Sequence, residues 1–298
     1  MAISHVAAAL MRPSWCTTAE VLEQVELLGD RAVAAEAELL ALAGGLAWWP
    51  VGYTAGLSRD ASNPWQALAK VTVDLPDLRQ RCLELGSRLL TGLMDVAAAH
   101  RLWLVAGGIP LPAEEGLGNA CVLLAPDGRL AGMQWQTHLD EHQASLGLTL
   151  GDSLAPMDAD GCPMGLLAGD DHLFPEVARI LCLQGASMLV HPGTASAGER
   201  AAMMARLWRD VQGNQVFGLE AGYSGPGPFG AAVLGPSELT SDGSGILAQV
   251  GGEEPAIAVA DLDWERLRQV VEAYPIHASL NPALYQRYLL DAYREALR

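Results

Sequence analysis

Ala120-Cys121-Val122-Leu123-Leu124, then Pro126-Asp127-Gly128, then Leu130-Ala131-Gly132-Met133-Gln134-Trp135-Gln136 is the stretch on which the fold turns. Two apolar runs of strand length flank a three-residue turn, which predicts a hairpin. Working outward, strand-like runs alternate with helical patterns. His5–Met11, Leu39–Ala43 and Leu102–Ala106 read as buried strands before the hairpin. Thr17–Thr18, with Glu20 in the first turn, caps a helix running to about Ala37. A long helix is expected over Asp74–His100, where Leu78, Cys82, Leu85, Leu89 and Leu93 recur at three- and four-residue steps. A Trp/Pro-rich loop is expected at Trp48, Trp49, Pro50, Gly52 and Tyr53.

After the hairpin, Gly165–Ala168, Met188–His191 and Val216–Ala221 read as strands. Phe174–Gln184 and Glu199–Gly213 read as helices, with Gly185 at a helix C-cap. A second hairpin pairs Ala231–Leu234 with Ile246–Val250 around Asp242-Gly243. Ala256–Asp261 is the last strand, followed by helices at Trp264–Tyr274 and Pro282–Leu297. Strand–helix alternation with interspersed hairpins implies an α/β protein with mixed sheets. One domain is expected over 1–274. A tail over 275–298, carrying Tyr285, Tyr288, Leu289, Tyr293 and Leu297, is apolar enough to dock on the body or on a second subunit.

The 298 residues are 50% apolar and 18% charged, so a large core is expected rather than disorder. The net charge of −17 disfavours phosphate backbones and anionic lipid, and there is no basic run. Neither nucleic acid nor membrane is expected as a partner. The N-terminal apolar run lacks the basic start of a signal peptide, and no stretch approaches the roughly 20 apolar residues of a membrane span. Cys16, Cys82, Cys121, Cys162 and Cys182 are odd in number, without a CxxC pair. That pattern argues for free thiols in a reducing compartment and against a structural zinc. A cytoplasmic protein is expected. Lys70 is the only lysine, so any lysine-dependent chemistry would have to use it.

Several segments, in order, resemble the nitrilase or carbon–nitrogen hydrolase superfamily. They are Gly118-Asn119-Ala120 through Pro126-Asp127-Gly128, Thr137-His138-Leu139, Asp171-His172-Leu173-Phe174-Pro175-Glu176, Gln184-Gly185-Ala186-Ser187 with Val190-His191-Pro192, Asn214-Gln215-Val216-Phe217, and Ala260-Asp261-Leu262-Asp263 with Arg266-Leu267. The resemblance runs from about residue 5 to residue 274. It implies a four-layer αββα sandwich and pairing through helices into a homodimer or higher homo-oligomer, often with an exchanged C-terminal tail. It also implies acyl transfer to a cysteine, with a Glu as base and a Lys stabilising the oxyanion.

Carried over position by position, that triad falls on Gly44, Gln136 and Gly169. Glycine is neither nucleophile nor base. Glutamine brings no charge to an oxyanion, and losing one such element costs ~10²–10³ in rate. No Glu or Asp lies between Glu38 and Arg59, and the Glu that commonly precedes Asn214-Gln215 is replaced by Gly213.

Polar residues remain nearby. Asp171 matches a family Asp that is usually structural. Asp170 would bind a cation, transfer protons or reach solvent. His138, Glu141 and His142 include a His-x₃-His spacing, but no evident helix and no third ligand, so no metal is expected. Glu141 is the candidate for the family's second, substrate-positioning Glu. Glu220 sits in an apolar strand and must face a polar pocket or pair with Arg206 or Arg209. Trp48 and Trp49 line the old pocket or plug it.

The leading expectation is a catalytically inactive homologue that binds a small ligand or serves as a partner or regulatory subunit. The second is an enzyme with re-purposed, non-cysteine chemistry on an amide, nitrile or carboxylate-type small molecule. The third is a structural oligomerisation partner. Asp170, His172, Glu141, Glu220, Trp48 and Trp49 are the candidate ligand-binding residues, and no cofactor is implied.

Overall fold

A computed structural model describes residues 3–13, 17–54, 75–114, 116–198 and 204–296. Strand β1 (His5–Met11) has three partners. It runs parallel to β2 (Leu39–Ala41), antiparallel to β12 (Ala256–Asp261), and at Leu10 and Met11 parallel to β9 (Phe217–Tyr223). The last contact joins two half-sheets. One half continues from β2 through β3 (Trp103–Ala113) and β4 (Gly116–Leu124) to β5 (Leu130–Trp135). The other runs from β9 through β8 (Met188–Ser196) and β7 (Cys162–Leu166) to β6 (Met157–Ala159), with β10 (Ala231–Leu234) and β11 (Ile246–Val250) on the far side of β9.

The halves pack face to face. Val6, Ala8, Leu39, Val105 and Leu123 from one meet Met164, Val190, Phe217, Leu219 and Val233 from the other in a common core. Residues one position along each strand face outward, as the two-residue side-chain period requires. On one flank Ala7, Ala9 and Leu40 pack under helices α1 (Thr18–Ala34) and α3 (Leu75–His100). On the other, Leu189, Ala232 and Leu234 pack under α5 (Pro175–Leu183) and α6 (Arg209–Asn214). This is the expected four-layer αββα sandwich, built from a mixed sheet. The expected Thr17/Glu20 capping box forms at α1, and Gly185 closes α5 at φ +106°.

Four local expectations need correction. The Trp/Pro-rich segment is not a loop: it forms helix α2 (Trp48–Thr54). Pro50 lies in its first turn, where a missing N–H costs no helical hydrogen bond. The strand expected at Gly165–Ala168 is the end of a hairpin, β6–β7, turned by Asp160-Gly161 with both residues at positive φ. Strand β3 does not stop at Gly107-Gly108 but continues to Ala113 past a bulge. Pro110 and Pro112 are tolerated there because β2 ends at Ala41, leaving that edge of β3 unpaired. The segment after His138 does contain a helix, α4 (Glu141–Ser145), capped by Asp140. His138 precedes it, so the His-x₃-His pair does not share a helix face.

The expected helix over Glu199–Gly213 is described from Met204 onward. It begins as a wide turn broken at Arg206 (φ −95°, ψ −126°) before α6. Two further helices, α7 (Trp264–Ala273) and α8 (Pro282–Ala296), follow β12. No helix among the described residues is long and apolar enough to cross a membrane.

Candidate active site

Gly44, Gln136 and Gly169, onto which the family resemblance carries the triad, follow strands β2, β5 and β7. Gly44 follows β2, and its N–H donates to Gly193 O at 2.9 Å. A Cβ there would stand 2.2 Å from Pro192 O, so the backbone approach leaves no room for a side chain. The Gly44 carbonyl accepts from Tyr223 Oη at 2.6 Å, and that hydroxyl accepts from Trp49 Nε1 at 2.8 Å. Gly169 follows β7 at φ +57°, opening a 3₁₀ turn over Gly169–Leu173.

Gln136 follows β5 and is buried against Gly169. Its Oε1 accepts from Asn119 Nδ2 at 2.7 Å, and its Nε2 donates to His138 O at 2.6 Å and Gln143 Oε1 at 3.0 Å. Asn119 Oδ1 accepts from Trp48 Nε1 at 3.0 Å. Trp48, Asn119, Gln136 and Gln143 thus form one buried chain in which every amide is oriented by its neighbours.

Asp171 is fully buried. It accepts from the Thr137 and His138 N–H groups and from Thr137 Oγ1, and pairs with His138 Nδ1 at 3.0 Å. Burial raises its pKa despite those bonds. The Thr137-His138 turn is thereby pinned to the 3₁₀ turn, and the His138 ring stacks on Phe174 at 3.7 Å.

Residues from four elements meet behind Gly169. Strands β8 and β9 are parallel, with His191 in register with Glu220. Both side chains are buried, and His191 Nδ1 lies 3.1 and 3.0 Å from the two carboxylate oxygens. Arg206 Nη1 stands 3.7 Å from Glu220 Oε1. The His191 Nε2 faces Gly169 O at 3.3 Å, and His172 Nδ1 faces the same carbonyl at 3.1 Å. The two imidazole rings stack with centroids 4.1 Å apart.

The charge states follow. Burial opposes charge on His191, but Glu220 and the Gly169 carbonyl outweigh it and raise the His191 pKa. Burial also opposes ionisation of Glu220; the His191 charge and hydrogen bond, with His172 and Arg206, hold its pKa below the usual value. Burial, then the His191 charge, pushes His172 down to about 4, so it is neutral at pH 7. Asp170 is raised by burial and by Asp140 and Asp171, against the pull of His191.

Of the sequence candidates, Gly169, Asp170, His172 and Glu220 are brought together, and Gln136 abuts the group. Glu220 takes the pairing alternative with Arg206 and adds His191. Glu141 is exposed on α4. Trp48 and Trp49 lie in the core, 0% and 2% exposed. His191 was legible only as a fold marker; a His and a Glu, each inside an apolar strand, is the signal that pairs them. Among the described residues no group of three or more His, Cys, Asp or Glu side chains converges as a metal site. Cys82, Cys121, Cys162 and Cys182 are free and buried, and Cys16 lies outside the described residues.

The model of the family described as carbon–nitrogen hydrolase matches residues 5–271. The chain is 29% identical over 202 residues to human omega-amidase NIT2, covering 65% of this chain and 73% of that protein. The zebrafish (Danio rerio) omega-amidase NIT2 is 27% identical over the same coverage. Among solved structures, a carbon–nitrogen hydrolase from Helicobacter pylori G27 superposes with a TM-score of 0.73 at 17% identity, covering 95% of this chain and 97% of that one. An amidase from Nesterenkonia sp. AN1, solved in complex with acrylamide, superposes with a TM-score of 0.69 at 19% identity, covering 96% and 97%. These relatives carry the names of working enzymes. That finding overturns the expectation of a catalytically inactive binding or partner subunit.

Proposed function

This chain belongs to the carbon–nitrogen hydrolase family, and from that premise we propose that it hydrolyses the amide bond of a small molecule, a terminal amide among the first to test. The observation that carries the chemistry is the neutral His172 beside Gly169, with Nδ1 committed to the Gly169 carbonyl and no partner for Nε2 among the described residues. We read Gly44, Gln136 and Gly169 as replacing the Glu, Lys and Cys of the family's triad, so a water takes the place of the thiol.

In this reading His172 Nε2 accepts a proton from water as its oxygen bonds to the amide carbon, and the carbonyl electron pair moves to oxygen. The developing oxyanion lies in the field of the His191 and Arg206 cations. Collapse of the adduct breaks the C–N bond. Asp170, whose carboxyl burial keeps protonated to higher pH than usual, gives its proton to the leaving nitrogen. Proton transfer from His172 back to the Asp170 carboxylate restores both groups, and a carboxylic acid and ammonia leave.

The test is ammonia release from a panel of small amides, including dicarboxylic acid monoamides. Turnover should be lost in His172→Ala and cut at least about 100-fold in Asp170→Asn, the scale of general acid–base catalysis. Turnover undiminished in His172→Ala would remove the proposal.

The same reading includes a homodimer. Helix α8 has no buried residue and exposes Leu284, Tyr285, Tyr288, Leu289, Leu290 and Tyr293. It borders a groove of ≈ 610 Å³ against α5 and α6, lined by Leu183, Leu280, Tyr285 and Leu289 among others. An apolar patch of this kind on a charged protein favours a second copy over water.

A further inference from the structure

The buried His191–Glu220–Arg206 group lies between strands β8 and β9, which are joined by backbone pairing on either side of it. Placing a carboxylate and an imidazole in an otherwise apolar pair of strands is costly unless each charge is matched. The geometry says what this arrangement does. One carbonyl oxygen, that of Gly169, is approached by two ring nitrogens, His172 Nδ1 at 3.1 Å and His191 Nε2 at 3.3 Å. A carbonyl only accepts, so both nitrogens must carry hydrogen to bond it. The other His191 nitrogen faces the Glu220 carboxylate at 3.0 Å and must carry hydrogen as well. His191 therefore needs both protons. His172 needs one, on Nδ1, and a second proton would place two imidazolium rings in a stack 4.1 Å apart.

We propose that His191 is a positioning residue: held doubly protonated between Glu220 and the Gly169 carbonyl, it keeps the stacked His172 ring uncharged and in its Nδ1–H tautomer, so that the Nε2 lone pair is the one offered to a reactant. The inference rests on the reading of His172 as general base and deepens it, by saying what sets that base's tautomer and charge. The charges that face His172 among the described residues act in both directions. Burial, the His191 cation and Arg206 oppose its protonation, whereas Glu220 and the Gly169 carbonyl favour it. Arg209 is committed to the His172 carbonyl and to Asp210, and Asp170 and Asp171 flank the ring in sequence.

Glu220 is the hinge of the arrangement. It is the only carboxylate among the described residues in contact with His191, and without it the second proton on His191 has no carboxylate to bond. His191 would then become an ordinary neutral histidine, the two rings would compete for a single carbonyl, and the fixed tautomer of His172 would be lost.

The experiment is long-range proton–nitrogen NMR of the ¹⁵N-histidine-labelled full chain between pH 4 and pH 8, with His172→Gln and His191→Gln used for assignment. At pH 7 the wild type should show both His191 nitrogens protonated, and His172 protonated on Nδ1 alone. Glu220→Gln should strip one proton from His191 at pH 7 and mix the His172 tautomers. His191→Gln, which keeps an amide donor for the Gly169 carbonyl and so guards against simple misfolding, should raise the His172 midpoint by about one pH unit. A neutral His191 in the wild type, His172 protonated on Nε2, or a His172 midpoint unmoved in His191→Gln would each overturn the inference. These spectra do not depend on turnover. The predicted protonation states in a protein that releases no ammonia would sink the amide-hydrolysis reading and leave this one standing. Turnover with the wrong protonation states would do the reverse.

Discussion

Gln136 Oε1 occupies the space a side chain on Gly169 would enter: a Cβ built on Gly169 would stand 2.5 Å from that oxygen. The two residues are mutually fitted, and Gly169 is also held at φ +57°, where a Cβ is strained whatever the space. Gly169→Ala should therefore destabilise the fold by roughly 2–4 kcal/mol, the sum of a left-handed backbone penalty and overpacking. Shortening Gln136 to Ala should relieve the overpacking part, so a double-mutant cycle read by urea denaturation should show coupling above about 1 kcal/mol. Additive costs would mean that the two side-chain positions do not compete for one space.

Thiol chemistry should be dispensable. Burial pushes Cys162 up to about 11 and Cys82 and Cys182 up to about 12, with Cys121 raised further still. None offers a thiolate at neutral pH. In a Cys16→Ser background, iodoacetamide should leave ammonia release unchanged over an hour at pH 7.5. Inactivation that tracks alkylation of one cysteine would contradict the water route.

Acid should weaken the fold through His172. Its folded pKa of about 4 lies below the ordinary histidine value of 6.5. Below pH 6.5 the unfolded chain takes up a proton that the native protein refuses, so this contribution is complete above 6.5 and is lost as pH falls toward 4. Asp170 and Asp171, both raised, act with the opposite sign but are common to wild type and variant. Urea midpoints at pH 7, 5.5 and 4.5 should fall more steeply for wild type than for His172→Gln. Parallel curves would show that His172 titrates normally in the folded protein.

The C-terminal helix supplies a prediction about assembly. Tyr288→Glu together with Leu289→Arg places charges on the exposed apolar face of α8. The wild type should elute as a dimer by light scattering and the double variant should shift toward monomer at micromolar concentration. A wild-type monomer, or a dimer indifferent to both charges, would remove α8 from the contact.

The layers were legible because burial writes itself into period. Strands such as Met188–His191 and helices such as Leu75–His100 carry patterns that packing cannot easily override. The β6–β7 hairpin was not legible, because β6 spans only Met157–Ala159 and is too short to show a period. The site was legible only in part. Asp170 stands where the family resemblance has an aromatic or apolar residue, and Glu220 is a carboxylate inside an apolar strand; His172 was legible only as their polar neighbour. His191 did not stand out, because its meaning depends on the register that sets it opposite Glu220, a relation between strands distant in sequence. Trp48 and Trp49 were legible as residues that line a pocket or pack into it, and local sequence does not choose between the two. Their indole N–H groups reach Asn119 and Tyr223 within the core, which no local pattern encodes.

The most direct test of the central claim is to follow turnover of a small amide by intact-protein mass spectrometry, with hydroxylamine present as a competing nucleophile. If water attacks the bound amide, ammonia and the free acid should form and no acyl adduct should build up on the protein, with or without hydroxylamine. An acyl-protein adduct that hydroxylamine discharges as hydroxamate would place a covalent nucleophile in the reaction and contradict direct attack by water, as would a wild-type protein that releases no ammonia from any amide tested.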